Sequence, residues 1–298
     1  MTFPEYQVPD KAGIQRLFHG RGHTWEGWEH VQIDWYPPVV MVVVFADFDI
    51  GWAEQLAENL QQRIPACESV LVQRRGAGPA ENFWMLGPQR EDFVAEENGL
   101  KYQIRLGTNQ NTGFFPDMAN GRAWVRQHAL GRKVLNLFSY TCSFSVVAIA
   151  GGAERVLNMD MSKRSLSTGR ENHRLNDFQS PQVLYEAMDI FRSFGRIKRH
   201  GPFDLLVCDP PSFQKGSVDI KRDYRKILRR LPEFMAPGAE LLLCLNDPAL
   251  GQDFLKEEVA AWCPDAQFVE RIANPEVLRE ASPDSGLKVL RYRYLPQE

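Results

Sequence analysis

Three acidic residues stand where apolar runs end. Asp160 closes the run 155–159, Asp189 follows the run 182–186, and Asp209 follows the run 204–208. A carboxylate at the end of a strand in a nucleotide-binding βαβ unit can accept hydrogen bonds from both ribose hydroxyls, and Asp160, with Met161 beside it, is placed for that role. Asp189 stands where a side chain faces a purine ring, with Met188 and Ile190 as apolar contacts. Between residues 136 and 143 the chain reads Asn136-Leu-Phe138-Ser139-Tyr140-Thr141-Cys142-Ser143. The glycine fingerprint that lets backbone close on a pyrophosphate is absent, which argues against a dinucleotide. A turn of Ser, Tyr and Thr can instead hydrogen-bond an amine and a carboxylate. Those are the polar groups of S-adenosylmethionine (SAM), whose remaining charge is a sulfonium.

The most specific element is Asp209-Pro210-Pro211-Ser212-Phe213. The prolines fix φ and remove amide donors, so the loop is stiff and its carbonyls point outward. Asp209 can accept from an exocyclic amine or orient a ring nitrogen, and Phe213 can stack on a base taken out of its helix. Cys208 and Cys244 are the two cysteines placed to serve as nucleophiles, since methylation at carbon 5 of cytosine requires prior thiolate attack at carbon 6. Both lie inside apolar strands, where small buried cysteines are common. The six histidines show no metal-ligand spacing, and no metal is expected.

The elements that must position these residues follow from periodicity. Compact apolar runs predict strands at 134–138, 155–159, 182–186, 204–208, 239–245, 267–272 and 287–294. Helices are predicted at 118–129, 143–150, 163–176, 219–235 and 252–262. This alternation implies an α/β fold, a Rossmann-like methyltransferase domain with a seven-stranded, mostly parallel sheet. Ahead of it the pattern differs. A strand at 39–45, a helix at 52–64 and a strand at 70–73 make a small α+β domain over 1–97, leaving 98–298 as the methyltransferase domain, including a lead-in hairpin signalled by Asn98-Gly99.

The chain has 298 residues and a net charge of −3, so nothing in its global charge draws it to nucleic acid. Lys221, Arg222, Arg225, Lys226, Arg229 and Arg230 nevertheless crowd one segment, opposed only by Asp223. Such a stripe either neutralises phosphates or forms a solvated helix face. No apolar run is long enough to span a bilayer, and the first residues carry no apolar leader. Five scattered cysteines without Cys-x-x-Cys spacing fit a reducing compartment, so a cytoplasmic location is expected.

With these residues in view, the chain resembles the bacterial 23S ribosomal RNA methyltransferase family, whose members include cytosine-C5 and guanine-N7 enzymes. The resemblance is carried by Asn111-Thr-Gly-Phe-Phe-Pro-Asp117, Asn136-Leu-Phe-Ser-Tyr-Thr141, Asp160-Met-Ser162, Glu171-Asn172, Leu175-Asn176 and Asp209-Pro-Pro-Ser-Phe213. It implies a class I fold, SAM as cofactor and ribosomal RNA as substrate. It also implies SAM contacts from Asp117, the Asn136–Thr141 turn, Asp160, Asp189 and Asp209. Cys142 stands where the family has glycine, which would narrow the methionine pocket, and Asn111 replaces a lysine. In place of the C5 members' second cysteine come Leu245 and Asn246, closer to the N7 type, where Asn246 would orient the base. The catalytic set is therefore Asp209, Phe213 and Asn246. A homodimer is allowed, and the alternatives are a methyltransferase for protein or small molecules and a noncatalytic RNA- or SAM-binding protein.

Overall fold

The computed structural model describes residues 2–10, 12–108, 110–178, 181–214 and 218–297, with the side chains of Phe213 and Gln214 outside the description. The chain divides into two compact units, Met1–Ala119 with Pro275–Pro283, and Asn120–Asn274 with Asp284–Glu298. The hairpin about Asn98-Gly99 thus groups with the first unit.

The first unit holds a five-stranded sheet in sequential order: β1 (Gln15–His19), β2 (Val31–Tyr36), β3 (Val39–Val44), β4 (Ser69–Arg74) and β5 (Glu81–Leu86). The parallel pair β3–β4 is joined by α1 (Ile50–Arg63), capped by Asp49, whose side chain accepts from the Trp52 amide. Ala53, Leu56, Ala57 and Leu60 of α1 bury against Val40, Val42, Val44, Val70 and Val72. Each fully buried valine or leucine stabilises the unit by about 1.5–3 kcal/mol relative to exposure. The segment 275–283 packs back into this unit through the Ala281 amide on the Gly22 carbonyl (2.7 Å) and His19 on Glu280 (3.0 Å). The hairpin β6 (Asp92–Glu97) and β7 (Leu100–Arg105) turns through Asn98 and Gly99, both at positive φ (50° and 77°), as a two-residue hairpin of this type requires.

The second unit runs α2 (Ala119–His128), β8 (Lys133–Leu137), α3 (Ser143–Ala150), β9 (Arg155–Asp160), α4 (Lys163–Leu175), β10 (Val183–Ala187), α5 (Phe194–His200) and β11 (Phe203–Cys208). Then come a two-residue antiparallel pair, β12 (Phe213–Gln214) and β13 (Val218–Asp219), followed by α6 (Ile220–Leu228) and β14 (Met235–Leu245). The unit ends with α7 (Gln252–Trp262), β15 (Ala266–Ile272) and β16 (Lys288–Tyr294). The seven-stranded sheet has the order β10-β9-β8-β11-β14-β16-β15, with β16 antiparallel to both neighbours. Strand β8 is followed outward by β9 and β10, after which the chain crosses back to β11 on its other side. That reversal is a topological switch point, and in such sheets ligands bind beyond the carboxyl ends of the strands.

One expected element is shorter than its pattern suggested. The helix expected over 219–235 stops at Leu228, because Pro232 lacks an amide to continue it. A short 3-10 turn at Leu231–Glu233 leads into β14 instead. Among the described residues no helix is long and apolar enough to cross a membrane.

Candidate active site

The strand order alone lines up the candidate residues. Register pairs Ala187 with Asp160, Leu137 with Met159 and with Cys208, and Cys208 with Leu243. The loops at the carboxyl ends therefore follow one another as Asp189, Asp160, the turn 138–142, the loop 209–212 and Asn246. Four strand spacings of about 4.8 Å make a rim of roughly 19 Å. That is long enough for a nucleoside with an amino-acid arm and a base placed against it.

The turn between β8 and α3 is the tightest part of this rim. Phe138, Tyr140 and Cys142 all have positive φ (55°, 46° and 63°) although none is glycine. Such residues cost of order 1–3 kcal/mol each and persist only where surrounding bonds over-determine them. Here the Ser139 amide donates to the Met159 carbonyl (3.0 Å), the Cys142 amide to the Ser139 carbonyl (2.7 Å), and Asn172 Nδ2 to the Thr141 carbonyl (2.9 Å). The fourth bond involves Asp160: the Tyr140 amide donates to Oδ2 (2.9 Å), while the Ser162 amide donates to Oδ1 (2.8 Å). A carboxylate accepts about four hydrogen bonds, so each Asp160 oxygen keeps a free direction. The Met188 amide donates to the Asp160 carbonyl (3.1 Å), joining the ends of β9 and β10. Asp189 caps a short 3-10 turn by accepting from the Phe191 amide (2.9 Å). Ile190 is buried, Met161 and Met188 are exposed, and the Phe138 ring lies 6.2 Å from that of Phe191.

Cys142 fits its left-handed position because its partner across the helix gap is glycine. A Cβ on Gly169 of α4 would lie 2.4 Å from the Cys142 sulfur. The thiol is therefore turned against α4, and burial pushes it up to about 12. Asn136 is turned inward as well. Its Nδ2 donates to Asn158 Oδ1 (2.9 Å), Asn158 Nδ2 donates to Ser145 Oγ (2.9 Å), and Ser145 Oγ meets His173 Nε2 (2.9 Å). His173 Nδ1 lies 2.7 Å from the Gly169 carbonyl, which can only accept, so the proton is assigned to Nδ1 and Nε2 accepts from the serine. Burial lowers the His173 pKa, consistent with this neutral form. The network ties β8, β9, α3 and α4 together beneath the turn. Asn158, Ser145 and His173 did not stand out in the sequence, because their roles exist only through contacts between elements.

On the other side of β8 the loop after β11 is tied to β14 and α6. Ser212 Oγ donates to the Asn246 carbonyl, and the Ile220 amide donates to the Ser212 carbonyl (3.2 Å). Beneath them the hydroxyl of buried Tyr224 lies 3.5 Å from the Cys208 carbonyl and 3.3 Å from the Cys244 carbonyl, spanning the ends of β11 and β14. Asp209 is half-buried, Pro210 buried and Asn246 exposed; the backbone of Phe213 starts β12. Cys208 and Cys244 are both fully buried, and burial pushes the Cys208 thiol well up, away from thiolate.

The donor set fits SAM. The Ser139 hydroxyl is buried with no hydrogen-bond partner among the described residues beyond the Cys142 thiol, and a hydroxyl of this kind suits an ammonium or carboxylate. Asp117 lies in the first unit, in the 3-10 turn Pro116–Met118, and its Oδ1 is buried without a hydrogen-bond partner among the described residues.

A family model described as S-adenosylmethionine-dependent methyltransferase matches residues 15–293. The chain belongs to this family. Among curated relatives, it is 28% identical over 285 residues to ribosomal RNA large subunit methyltransferase I of Shewanella amazonensis, covering 88% of this chain and 72% of that protein. It is 29% identical over 232 residues to ribosomal RNA large subunit methyltransferase K/L of Hahella chejuensis, covering 72% of this chain but 32% of that longer protein. Among solved structures, SMU.776 complexed with SAH aligns with TM-score 0.84 at 25% identity, over 95% of this chain and 75% of that one. A SAM-dependent methyltransferase from Agrobacterium tumefaciens shares the fold (TM-score 0.71, 19% identity, covering 100% and 95%). The protein is a SAM-dependent methyltransferase of class I architecture, and SAM is its cofactor.

Proposed function

We propose that this methyltransferase modifies a base of large-subunit ribosomal RNA. The observation that carries the reading is the link from Ser212 to Asn246, which joins the Asp209-Pro-Pro-Ser loop to the end of β14 beside the turn at 138–142. The names of the relatives support it. When bound, SAM supplies a methyl group on a sulfonium. Asp160 holds the ribose diol and Asp189 faces the adenine, with Met161 and Ile190 as apolar contacts. Ser139, Tyr140 and Thr141 take the amino-acid arm, and Asn136 and Phe138 support the turn.

On the acceptor side Asp209 orients the base through an exocyclic amine or ring nitrogen, Phe213 stacks on it, and Asn246 fixes its edge. Alignment of acceptor and methyl is the main demand of the reaction. With Cys208 and Cys244 buried inside strands, the acceptor atom attacks directly, without a protein thiolate. A cytoplasmic location goes with such a substrate.

The test is transfer of tritiated methyl from SAM to total RNA from a strain lacking the gene, followed by nuclease and protease digestion. Nuclease-sensitive label is expected. Label that survives nuclease and falls to protease, or no polymer label at all despite tight SAM binding, overturns the RNA reading.

A further inference from the structure

The six cations of the basic segment do not form one surface. Arg222 and Lys226 both close on the buried Asp223 carboxylate (3.0 and 2.7 Å), and Arg230 pairs with Glu233 (2.9 Å). The Arg222 hydrogen bond, followed by that of Lys226, holds Asp223 well below the usual carboxylate range. Each of these three charges is paired with a carboxylate of the chain itself, although the cationic side chains remain partly exposed. Asp223 takes Arg222 and Lys226 while its Oδ2 accepts from the Asp219 amide (2.9 Å), which anchors the start of α6 to β13.

Lys221, Arg225 and Arg229 behave differently. They stand at i, i+4 and i+8, all exposed, in a row flanking the buried face of Ile220, Tyr224, Ile227 and Leu228. None has a carboxylate within ion-pair distance among the described residues. Glu258 of α7 feels Arg225 electrostatically without pairing to it. Arg229 lies over the ring of Trp262 (5.8 Å), which braces it at the end of the row. At 1.5 Å rise per residue the three charges are spaced by about 6 Å along the axis, a spacing comparable to that of successive phosphates on a nucleic-acid strand. The row also starts at the active site, since Ser212 accepts from the first amide of α6.

We infer that Lys221, Arg225 and Arg229 form a track for consecutive RNA phosphates, leading the strand away from the base held at Asp209. This rests on the RNA reading above. The surface reads backbone charge, so it confers affinity and orientation rather than base choice. The paired cations Arg222, Lys226 and Arg230 contribute little to it.

The experiment measures binding of the SAH-loaded full chain to deproteinised large-subunit ribosomal RNA across a salt series. Wild type is compared with the Lys221→Gln/Arg225→Gln/Arg229→Gln triple variant and with Arg230→Gln. With about 0.7 counterions released per single-strand phosphate, the triple variant should lower the log–log salt slope by about 2. It should bind RNA at least tenfold more weakly, with SAH affinity unchanged, while Arg230→Gln stays within twofold of wild type. Arg225→Glu alone, at an exposed position, should also weaken binding at least tenfold if the triple variant does not fold. Wild-type methylation of RNA with unchanged slope and affinity in these variants overturns the track alone. Wild type that neither binds nor methylates RNA overturns the RNA reading, and the track with it.

Discussion

The two halves of the rim are built to different tolerances. On the cofactor side, the turn 138–142 carries three non-glycine residues at positive φ, held by four hydrogen bonds and an underlying network from Asn136 to His173. On the acceptor side, the loop after β11 depends on Ser212, on the Ile220 amide and on one tyrosine hydroxyl shared between two carbonyls. The contrast follows from what each half must do. SAM presents the same groups every time, so a rigid turn costs nothing in adaptability. An acceptor base has to enter and leave, and among the described residues of the loop after β11 none is held at positive φ.

Breaking the cofactor side should remove cofactor affinity. Asp160→Ala deletes the acceptor for the Tyr140 and Ser162 amides along with the ribose contact. With hydrogen bonds to a charged group worth about 1.5–3 kcal/mol each, SAH binding by calorimetry should weaken at least 100-fold. Unchanged affinity would sink the ribose assignment. Asn158→Leu takes the acceptor from buried Asn136 and one of the two bonds of Ser145, at about 1–3 kcal/mol for each group left short. Urea unfolding should show a loss of about 2–4 kcal/mol. A stability unchanged within error would mean the network holds nothing.

Breaking the acceptor side should leave SAH affinity intact. Tyr224→Phe removes the hydroxyl between the ends of β11 and β14, and methyl transfer should fall several-fold with the SAH dissociation constant unmoved. If both fall together, the two halves are coupled and the contrast fails. The smallest effect is a pH dependence. The folded-state pKa of His173 is lowered by burial below its unfolded value, so its contribution is fully present above the unfolded pKa near 6.5. As pH falls below 6.5, the unfolded chain takes up the proton first and stability is lost. His173→Gln should flatten the stability profile between pH 6.5 and 5; an identical profile would clear His173 of this role.

Legibility in the sequence tracks how elements meet. Strands β8, β9, β11 and β14 are mostly apolar because both faces are covered, and their runs read directly. Strands β1 and β2 did not, because they bury Arg16 and Asp34 as a pair (2.7 Å) where a periodic reading expects apolar residues. Edge strand β5 is only half-buried along most of its length, and α5 has one fully buried residue, Ile197, so neither leaves a pattern. The same logic divides the site. Asp160, Asp189 and Asp209 were visible because a strand end announces them. Ser212, Tyr224, Asn158 and His173 were not, because each acts across a gap between elements distant in the chain. The basic segment was visible as six charges, yet only the fold separates the three spent on Asp223 and Glu233 from the three in a row.

Strand β16 is the last of the seven in chain order, but it lies between β14 and β15. During synthesis β15 emerges before it and has no strand to pair with. Until residues 288–294 arrive, the sheet stops at β14, whose outer edge offers unpaired amides and carbonyls. The first unit waits as well, since its segment 275–283 lies between these two strands in sequence. The order of translation thus leaves the cofactor side, complete by Ile190, able to form early, while the half that accepts substrate is closed by the last of the seven strands to emerge.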